Sequence, residues 1–542
     1  MKVCLTSFSS PWFFGPYGQQ LKLLGNYFNS KDIEVYYLCL GFNLPKKIYN
    51  YQDMLKNETG SVNNIDHKIL SNFKFLGGID TVKNFVLVSN INDILKTFEI
   101  DVIITCMDLI RLCYDEDFCI KSLAWYPNHF SPIDKHNKKL LNMFSDIISL
   151  APTDQKLLKN TFPNKNVHYI PHIIDFKREN KGKNILRNKY NIPKDKFVIF
   201  INCGNYDTQN RKSLDISLLA FEKFLKKNDG LLFIHSYNVR KIDVNNHYTP
   251  MQGFLIIEEI LDQLNIPKDK IILHDDIVDY NDILDMMEMS DVLLQPSKTE
   301  GFGLPILEAQ LVGIPVITTR FGAMSDYTYN GISVDIIQKC YELSTAGFWS
   351  TPSVGGVANA LKKIKNKEYE DKTQYAKNKI NDEMNMSIVG DKFIEVMKSD
   401  FIKPIKNRFK LFEIVSYDDN KYYINKSKFD EIKSNQINSK WVIFMKHGLK
   451  YKEEILKKIL LNDNDKDLIA LLTDYNGKVY PSQEELQSGK FDFSKVNYAI
   501  KTKYFNVLIE ANILVKYKSG FILMNYINEL NKTIIPFNVL SS

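Results

Sequence analysis

The twelve residues Ser297 to Glu308, S-K-T-E-G-F-G-L-P-I-L-E, restrict the fold more than any other stretch of this chain. The apolar run Asp291-Val-Leu-Leu-Gln precedes them and reads as a short buried parallel strand. Pro305 stands where a first helical turn begins, because proline's missing N–H removes no helical bond there. Gly313 stands where that helix ends, and Ile314-Pro-Val-Ile-Thr follows as the next strand. The segment is one strand–loop–helix–strand unit with its glycines at the carboxyl end of the first strand. That is the edge at which open α/β sheets bind ligands.

Gly301 and Gly303 let backbone N–H groups approach a ligand with no Cβ in the way. The helix beginning near Leu304 turns unpaired N–H groups and its positive end toward the same point, which favours a phosphate. Glu300, in the loop, is placed to accept hydrogen bonds from sugar hydroxyls, and Glu308, one turn into the helix, from a ribose diol. Two diol readers beside an anion cradle describe a nucleotide-sugar site. A solvated loop ahead of a surface helix would also carry two carboxylates, but it explains neither the paired glycines nor the proline.

The stretch 291–322, with G-F-G-L-P between the glutamates and V-I-T-T-R-F-G-A-M-S-D from Val316, resembles glycosyltransferase family 4. These are retaining enzymes with the GT-B fold, in which two Rossmann-like α/β domains face a cleft. The resemblance is spread over most of residues 1–398. It implies that Glu300 contacts the donor sugar, that Glu308 contacts the nucleotide ribose, and that the N–H groups of Phe302, Gly303 and Leu304 serve the sugar and diphosphate.

Other segments extend it. Lys2 to Phe8 reads as a first strand, S-S-P-W-F-F-G-P-Y-G as a glycine-bearing loop, and Leu21 to Phe28 as a helix. Gly15 and Gly18 resemble the amino-terminal glycine loop of GT-B transferases, which faces the cleft. His129, after the strand-like S-L-A-W-Y, resembles the cleft histidine or acidic residue that follows this segment in related enzymes. The R-K-S-L-D run at 211–215 resembles the family's R-K-G segment, which implies that Lys212, with Arg211 beside it, grips the diphosphate. The family usually places arginine directly after the preceding strand's glycine, and here that residue is Asn205, so one expected positive charge is missing. Ile277 and Val278 follow a strand and are placed to flank the base, as this position does in the family, and His235 ends another strand at the same edge. His168 and His172 are four apart, but Pro171 between them breaks any helix, which argues against a metal pair.

Length and composition set the remaining bounds. The 542 residues predict two to four domains. We place these at 1–175 (acceptor side), 176–399 (nucleotide-sugar binding, with closing helices over 347–397) and 400–542, an α+β module outside the resemblance. In that module F-E-I-V-S-Y-D-D-N-K-Y-Y-I reads as a hairpin, Trp441 to Met445 and Asp467 to Leu472 as strands, Tyr451 to Leu461 as a helix, and D-N-D at 463–465 as a polar loop rather than a metal motif. A net charge of +6 on 63 kDa does not imply nucleic acid. No apolar stretch approaches 18 residues, the start reads as a strand rather than a signal peptide, and seven cysteines without C-x-x-C spacing suit a reducing compartment. These features point to the cytoplasm and leave room for peripheral membrane contact; oligomeric state is open. The expected function is metal-independent, cofactor-free transfer of a hexose from a UDP- or GDP-sugar to a hydroxyl acceptor, such as a glycan, glycolipid or protein-linked sugar. The competing readings are a catalytically weak sugar-nucleotide-binding scaffold subunit, for which Asn205 speaks, and a GT-B epimerase or phosphorylase.

Overall fold

The computed structural model describes residues 1–399 except 14, 41, 43, 59–64, 79, 83–84, 90, 110–111, 115–116, 176–177, 206–208, 237–254, 277 and 342–346, and beyond 399 it describes seven strands. Residues 1–112 and 116–403 form one compact unit, and residues 113–115 with 404–542 form a second.

The larger unit is built on two sheets. The first contains β1 (Lys2–Ser7), β2 (Glu34–Cys39), β3 (Ile48–Tyr49), β4 (Lys74–Leu76), β5 (Val102–Cys106), β6 (Lys121–Tyr126), β7 (Asp146–Ser149) and β8 (Asn166–Tyr169), in the spatial order β8-β7-β6-β5-β1-β2-β4-β3. Neighbours run parallel except β3 against β4. Central strands are buried on both faces, as parallel sheets covered by helices require, and Val3, Leu5, Val35, Tyr37, Ile103 and Ile104 are fully enclosed. The second sheet contains β9 (Val198–Asn202), β10 (Leu231–His235), β11 (Ile271–His274), β12 (Val292–Gln295), β13 (Val316–Thr319) and β14 (Gly331–Val334). All its strands are parallel, in the order β11-β10-β9-β12-β13-β14. Winding outward from β9 in both directions is the doubly wound topology, and the switch point lies between β9 and β12.

The helices that matter for the cleft are α1 (Pro16–Asn29), α2 (Leu214–Leu225), α3 (Tyr280–Met289), α4 (Leu304–Val312), α5 (Thr373–Met384) and α6 (Met386–Lys398). Helix α1 starts five residues before the expected Leu21, because Pro16 occupies its first turn. Helix α4 runs between Gly303, at φ +92°, and Gly313, at φ +105°, both left-handed conformations that glycine adopts without a Cβ clash. Ile306, Leu307 and Ala309 are fully enclosed and Glu308 and Gln310 are buried as well, so this is an interior helix rather than a surface one.

The chain crosses back to the first domain through α6. Phe393 packs edge-on against Trp125 with ring centroids 4.9 Å apart, the Tyr27 hydroxyl donates to Asp391 at 2.6 Å, and Gly390 lies directly against the Tyr27 ring. The stretch from Gly347 is not helical throughout, as the closing-helix resemblance implied. Phe348–Pro352 is a strand paired antiparallel with Ile336–Tyr341, and the helix starts only at Val354, its end capped by the Ser353 hydroxyl on the Gly356 N–H at 3.1 Å. Aromatic and β-branched side chains suit a pleated strand, and a serine suits a helix start.

In the smaller unit, Phe412–Tyr417, Trp441–Lys446, Leu468–Leu471, Asn497–Lys501 and Lys532–Ile535 form a mixed five-stranded sheet. The strands expected near 441 and 467 are present. Phe412–Tyr417 is also a strand, but its described neighbour is Trp441–Lys446, in parallel. The second arm of the expected hairpin, the helix at 451–461 and the D-N-D run lie outside the described residues. No described helix is long and apolar enough to cross a membrane.

Candidate active site

Because β9 and β12 are neighbours at the switch point, the loops leaving their carboxyl ends meet, and residues 88 apart in sequence come into contact. Glu300 is the centre of that meeting. Its Oε1 accepts from Lys212 Nζ at 2.6 Å, Ser297 Oγ at 2.7 Å and Gln295 Nε2 at 3.1 Å, and its Oε2 from Arg211 Nη1 at 2.9 Å. Arg211 Nη1 also donates to the Thr299 carbonyl at 3.0 Å, and the Lys298 N–H donates to the Arg211 carbonyl at 2.7 Å, which ties the two loops by their backbone. Burial alone would raise the Glu300 carboxyl, yet the Lys212 ammonium and Arg211 guanidinium outweigh it and hold the group well below the usual carboxylate range. Glu300 is an anion at any working pH, and only 7% of it is exposed.

The first domain closes over this loop. A Cβ on Gly301 would lie 2.7 Å from Pro127 Cβ and 3.1 Å from His129 Cε1, so glycine is what admits the W-Y-P-N-H segment. Thr299 Oγ1 donates to the His129 carbonyl at 2.9 Å, and at the flank of the cleft Thr153 gives its N–H and hydroxyl to Asp326 at 2.8 and 2.7 Å. His129 Nε2 faces Asp108 Oδ1 at 3.0 Å, and Tyr17, in the first turn of α1, also bonds Asp108. Gly15 and Gly18 thus stand beside a residue that reaches the cleft. Each also has a packing reason: a Cβ on Gly15 would meet Ser9 Oγ at 2.6 Å, and one on Gly18 would collide with the Ser10 carbonyl. Three buried polar atoms around Glu300 lack a hydrogen-bond partner: Gln295 Oε1, Ser213 Oγ and His129 Nδ1. Each is a polar group that a water or a ligand would satisfy, as are other buried unpartnered side-chain atoms of this unit, Thr105 Oγ1 and Trp349 Nε1 among them.

Helix α4 presents its amino end to the same space, and no side chain caps it. The Phe302 ring turns away, packed between His172 and Tyr327 with centroids 4.9 and 4.8 Å distant, which leaves the backbone of Phe302, Gly303 and Leu304 as the groups available there. Glu308 is buried, with the Tyr280 hydroxyl donating to its Oε1 at 2.7 Å; burial pushes its carboxyl up to about 7, against the pull of that bond. The Asn205 amide grips the backbone of Leu255, accepting from its N–H at 3.1 Å and donating to its carbonyl at 2.8 Å, a structural duty that the missing-arginine reading did not foresee. His235 ends β10 bonded to Asn202 Oδ1 at 2.9 Å and to the Asp276 carbonyl at 3.2 Å, and Ile277 lies outside the described residues. His168 pairs with Asp146 at 3.0 Å, whereas His172 is enclosed between Trp125 and Phe302, its imidazole pushed down to about 3 by burial. The two histidines share no site. Among the described residues, no group of three or more His, Cys, Asp or Glu side chains is placed to hold a metal ion.

Asp108, Tyr17, Gln295, Ser297, Ser213 and Tyr280 were not singled out from the sequence. For Asp108 a signal existed, since it is the first charged residue past the apolar strand V-I-I-T-C, at the sheet edge that faces the cleft.

Residues 256–382, which hold Glu300, Glu308 and α4, match the family model of glycosyl transferases group 1. That match spans less than a quarter of the chain. A stretch of 63 residues is 36% identical to the D-inositol 3-phosphate glycosyltransferase of Arthrobacter sp. (strain FB24), covering 12% of this chain and 15% of that relative's length. Among solved structures, the larger unit is similar to sucrose-phosphate synthase from Thermosynechococcus elongatus (TM-score 0.51, 14% identity, 73% of this chain and 98% of that one). It is similar as well to Anabaena HepE in complex with UDP and glucose (TM-score 0.50, 14% identity, 74% of this chain and 100% of that one). The larger unit therefore has the GT-B fold, with β1–β8 as the sheet of its first Rossmann-like half and β9–β14 as that of the second.

Proposed function

We propose that this chain is a retaining, metal-independent hexosyltransferase of the family 4 kind, moving a hexose from a UDP- or GDP-sugar to an acceptor hydroxyl on a glycan, glycolipid or protein-linked sugar. The observation that carries this reading is the convergence of Lys212, Arg211 and Glu300 at the switch point, in front of the uncapped end of α4 and among three unpartnered buried polar atoms. The Anabaena structure contains UDP and glucose, which agrees with such a donor.

The residues divide the work. Glu308 takes the ribose diol, and the N–H groups of Phe302, Gly303 and Leu304 point at the diphosphate. Lys212 gives one bond to the Glu300 carboxylate, and an ammonium has three donors, so its others can face the leaving group, while the Arg211 guanidinium, bonded to Glu300 and the Thr299 carbonyl, adds its charge beside them. As the bond from the anomeric carbon to the diphosphate oxygen breaks, negative charge grows on that oxygen and positive charge on the sugar ring. The cations and the helix end stabilise the first, and the fixed Glu300 carboxylate lies toward the second. The acceptor hydroxyl attacks from the face the diphosphate leaves and passes its proton to a diphosphate oxygen, which preserves the anomeric configuration. His129, held by Asp108, lines the acceptor side. Residues 400–542 then serve an acceptor or a partner. Asn205 is also compatible with the scaffold reading, but its grip on Leu255 gives it a role that does not depend on turnover.

Isothermal titration with UDP, GDP and ADP, alongside donor turnover, tests the division of labour. Glu308→Ala should weaken nucleotide binding, whereas Glu300→Gln should keep it and lose turnover. Equal losses of binding in both variants would break these roles, and a wild-type chain that binds none of the three would remove the reading altogether.

A further inference from the structure

Beyond the donor cradle, one contact has no counterpart in the motif reading. Tyr280 is the first residue of α3, on the loop that leaves β11 at the cleft edge, and its hydroxyl reaches across to α4 to meet Glu308 Oε1 at 2.7 Å. Tyr280 as a whole residue is 40% exposed, but its hydroxyl is turned inward onto a carboxylate that is only 7% exposed. Helix α3 is itself firmly held. Arg178, from the segment linking the two domains, bonds Asp285 Oδ1 at 2.5 Å and Glu288 Oε2 at 2.6 Å, and Lys181 and Lys189 reach Asp285 at 2.9 and 3.0 Å. The tyrosine hydroxyl is thus presented from an anchored helix.

We infer that Tyr280 is a positioning residue for the ribose-binding carboxylate: its hydroxyl fixes the Glu308 rotamer so that the remaining lone pairs are presented to both hydroxyls of the nucleotide's ribose. The inference rests on the role proposed above for Glu308. A carboxylate offers about four lone-pair sites, so one donor on Oε1 leaves Oε2 and part of Oε1 open to a diol. A protonated carboxyl has fewer, and its own proton competes with the ligand. Glu308 needs help to stay ionised, since burial pushes it up to about 7 and the Tyr280 bond is the effect opposing that push. Lys212 and Arg211, the cations of the neighbouring loops, are paired with Glu300 instead. The tyrosine remains the donor throughout, because burial and the adjacent carboxylate drive its own ionisation far above the working range.

The test uses the full chain and whichever of UDP, GDP and ADP binds wild type most tightly. Affinity of wild type should fall as pH drops from 8.5 to 6, with its midpoint near that of Glu308. In Tyr280→Phe the midpoint should move upward, so that binding at pH 7 weakens about five- to tenfold, roughly what losing one hydrogen bond to a charged group costs, and recovers toward pH 9. Glu308→Gln should bind weakly throughout and keep only the midpoint at about 6 that belongs to the ligand's own terminal phosphate, which the dideoxy nucleotide shares. The same diphosphate lacking its 2′- and 3′-hydroxyls should bind wild type and Tyr280→Phe equally, because the tyrosine acts only through the diol. If Tyr280→Phe matches wild type across the pH range, or weakens the dideoxy nucleotide as much as the parent one, the positioning role is wrong while the donor site stands. If wild type binds no nucleoside diphosphate, the donor reading fails first.

Discussion

At Glu300 one carboxylate organises two cations, a serine and a glutamine, and each of those side chains is short of freedom as a result. The cost of removing a member depends on what it leaves behind. Lys212→Ala leaves Glu300 with Arg211, Ser297 and Gln295, so the carboxylate stays satisfied and the fold should survive. On the proposed reading what disappears is a charged donor for the leaving diphosphate, and a charged hydrogen bond is worth roughly 1.5–3 kcal/mol, so kcat/KM should fall about ten- to a hundredfold. Steady-state kinetics with the cognate donor measure this, and an unaffected variant would put the diphosphate elsewhere. Glu300, Glu308, Lys212 and Arg211 were legible in the sequence because glycines, a proline and paired charges flag their loops. Tyr280 was not, because it acts through a contact to a residue 28 positions away that nothing local to D-Y-N-D announces, and Asp108 offered only its place as the first charge past an apolar strand.

Among the elements, the parallel strands were the most readable, because burial on both faces writes them as uninterrupted apolar runs. The strand Phe348–Pro352 was harder, since its partner Ile336–Tyr341 precedes it by a stretch with no turn motif. Helix α6 carries the most informative glycine of the larger unit. Gly390 lies so close to the Tyr27 ring of α1 that an added Cβ must push the ring or the helix aside, and that ring is held by its hydroxyl on Asp391. Gly390→Ala gains helix propensity, worth about 1 kcal/mol, but overpacking costs typically 1–3 kcal/mol, so the balance should be a net loss. Urea unfolding monitored by tryptophan fluorescence is the measurement, because Trp125 packs against Phe393 on the same helix. A variant as stable as the parent would show that α1 and α6 can separate without consequence.

On the scale of the whole chain, the groups proposed to bind the donor and the crossing helix all precede residue 400, and residues 1–112 with 116–403 already cluster as one compact unit. Ending the chain after residue 403 should therefore leave a protein that folds and binds nucleotide with near-parental affinity, while acceptor use or assembly changes. A truncated chain that is folded yet blind to nucleotide would show that residues beyond 403 complete the donor site. Only the existence of strands in that module was legible from the sequence, where no motif ties its charged runs to a chemistry.

The cover over Glu300 has a consequence for timing. Pro127 and His129 rest on Gly301, Thr299 holds the His129 carbonyl, and Thr153 holds Asp326, so on the proposed reading these contacts stand between solvent and the carboxylate that would face the sugar. A ligand bound for that carboxylate must wait for the two halves to part, and traffic through a door has a ceiling that crowding outside cannot raise. In stopped-flow mixing, the observed association rate should climb with nucleotide-sugar concentration and then level off at the rate of opening. Asp326→Ala, which loosens the latch without touching the cradle, should lift that plateau, whereas a rate that rises linearly without limit would mean the door already stands open.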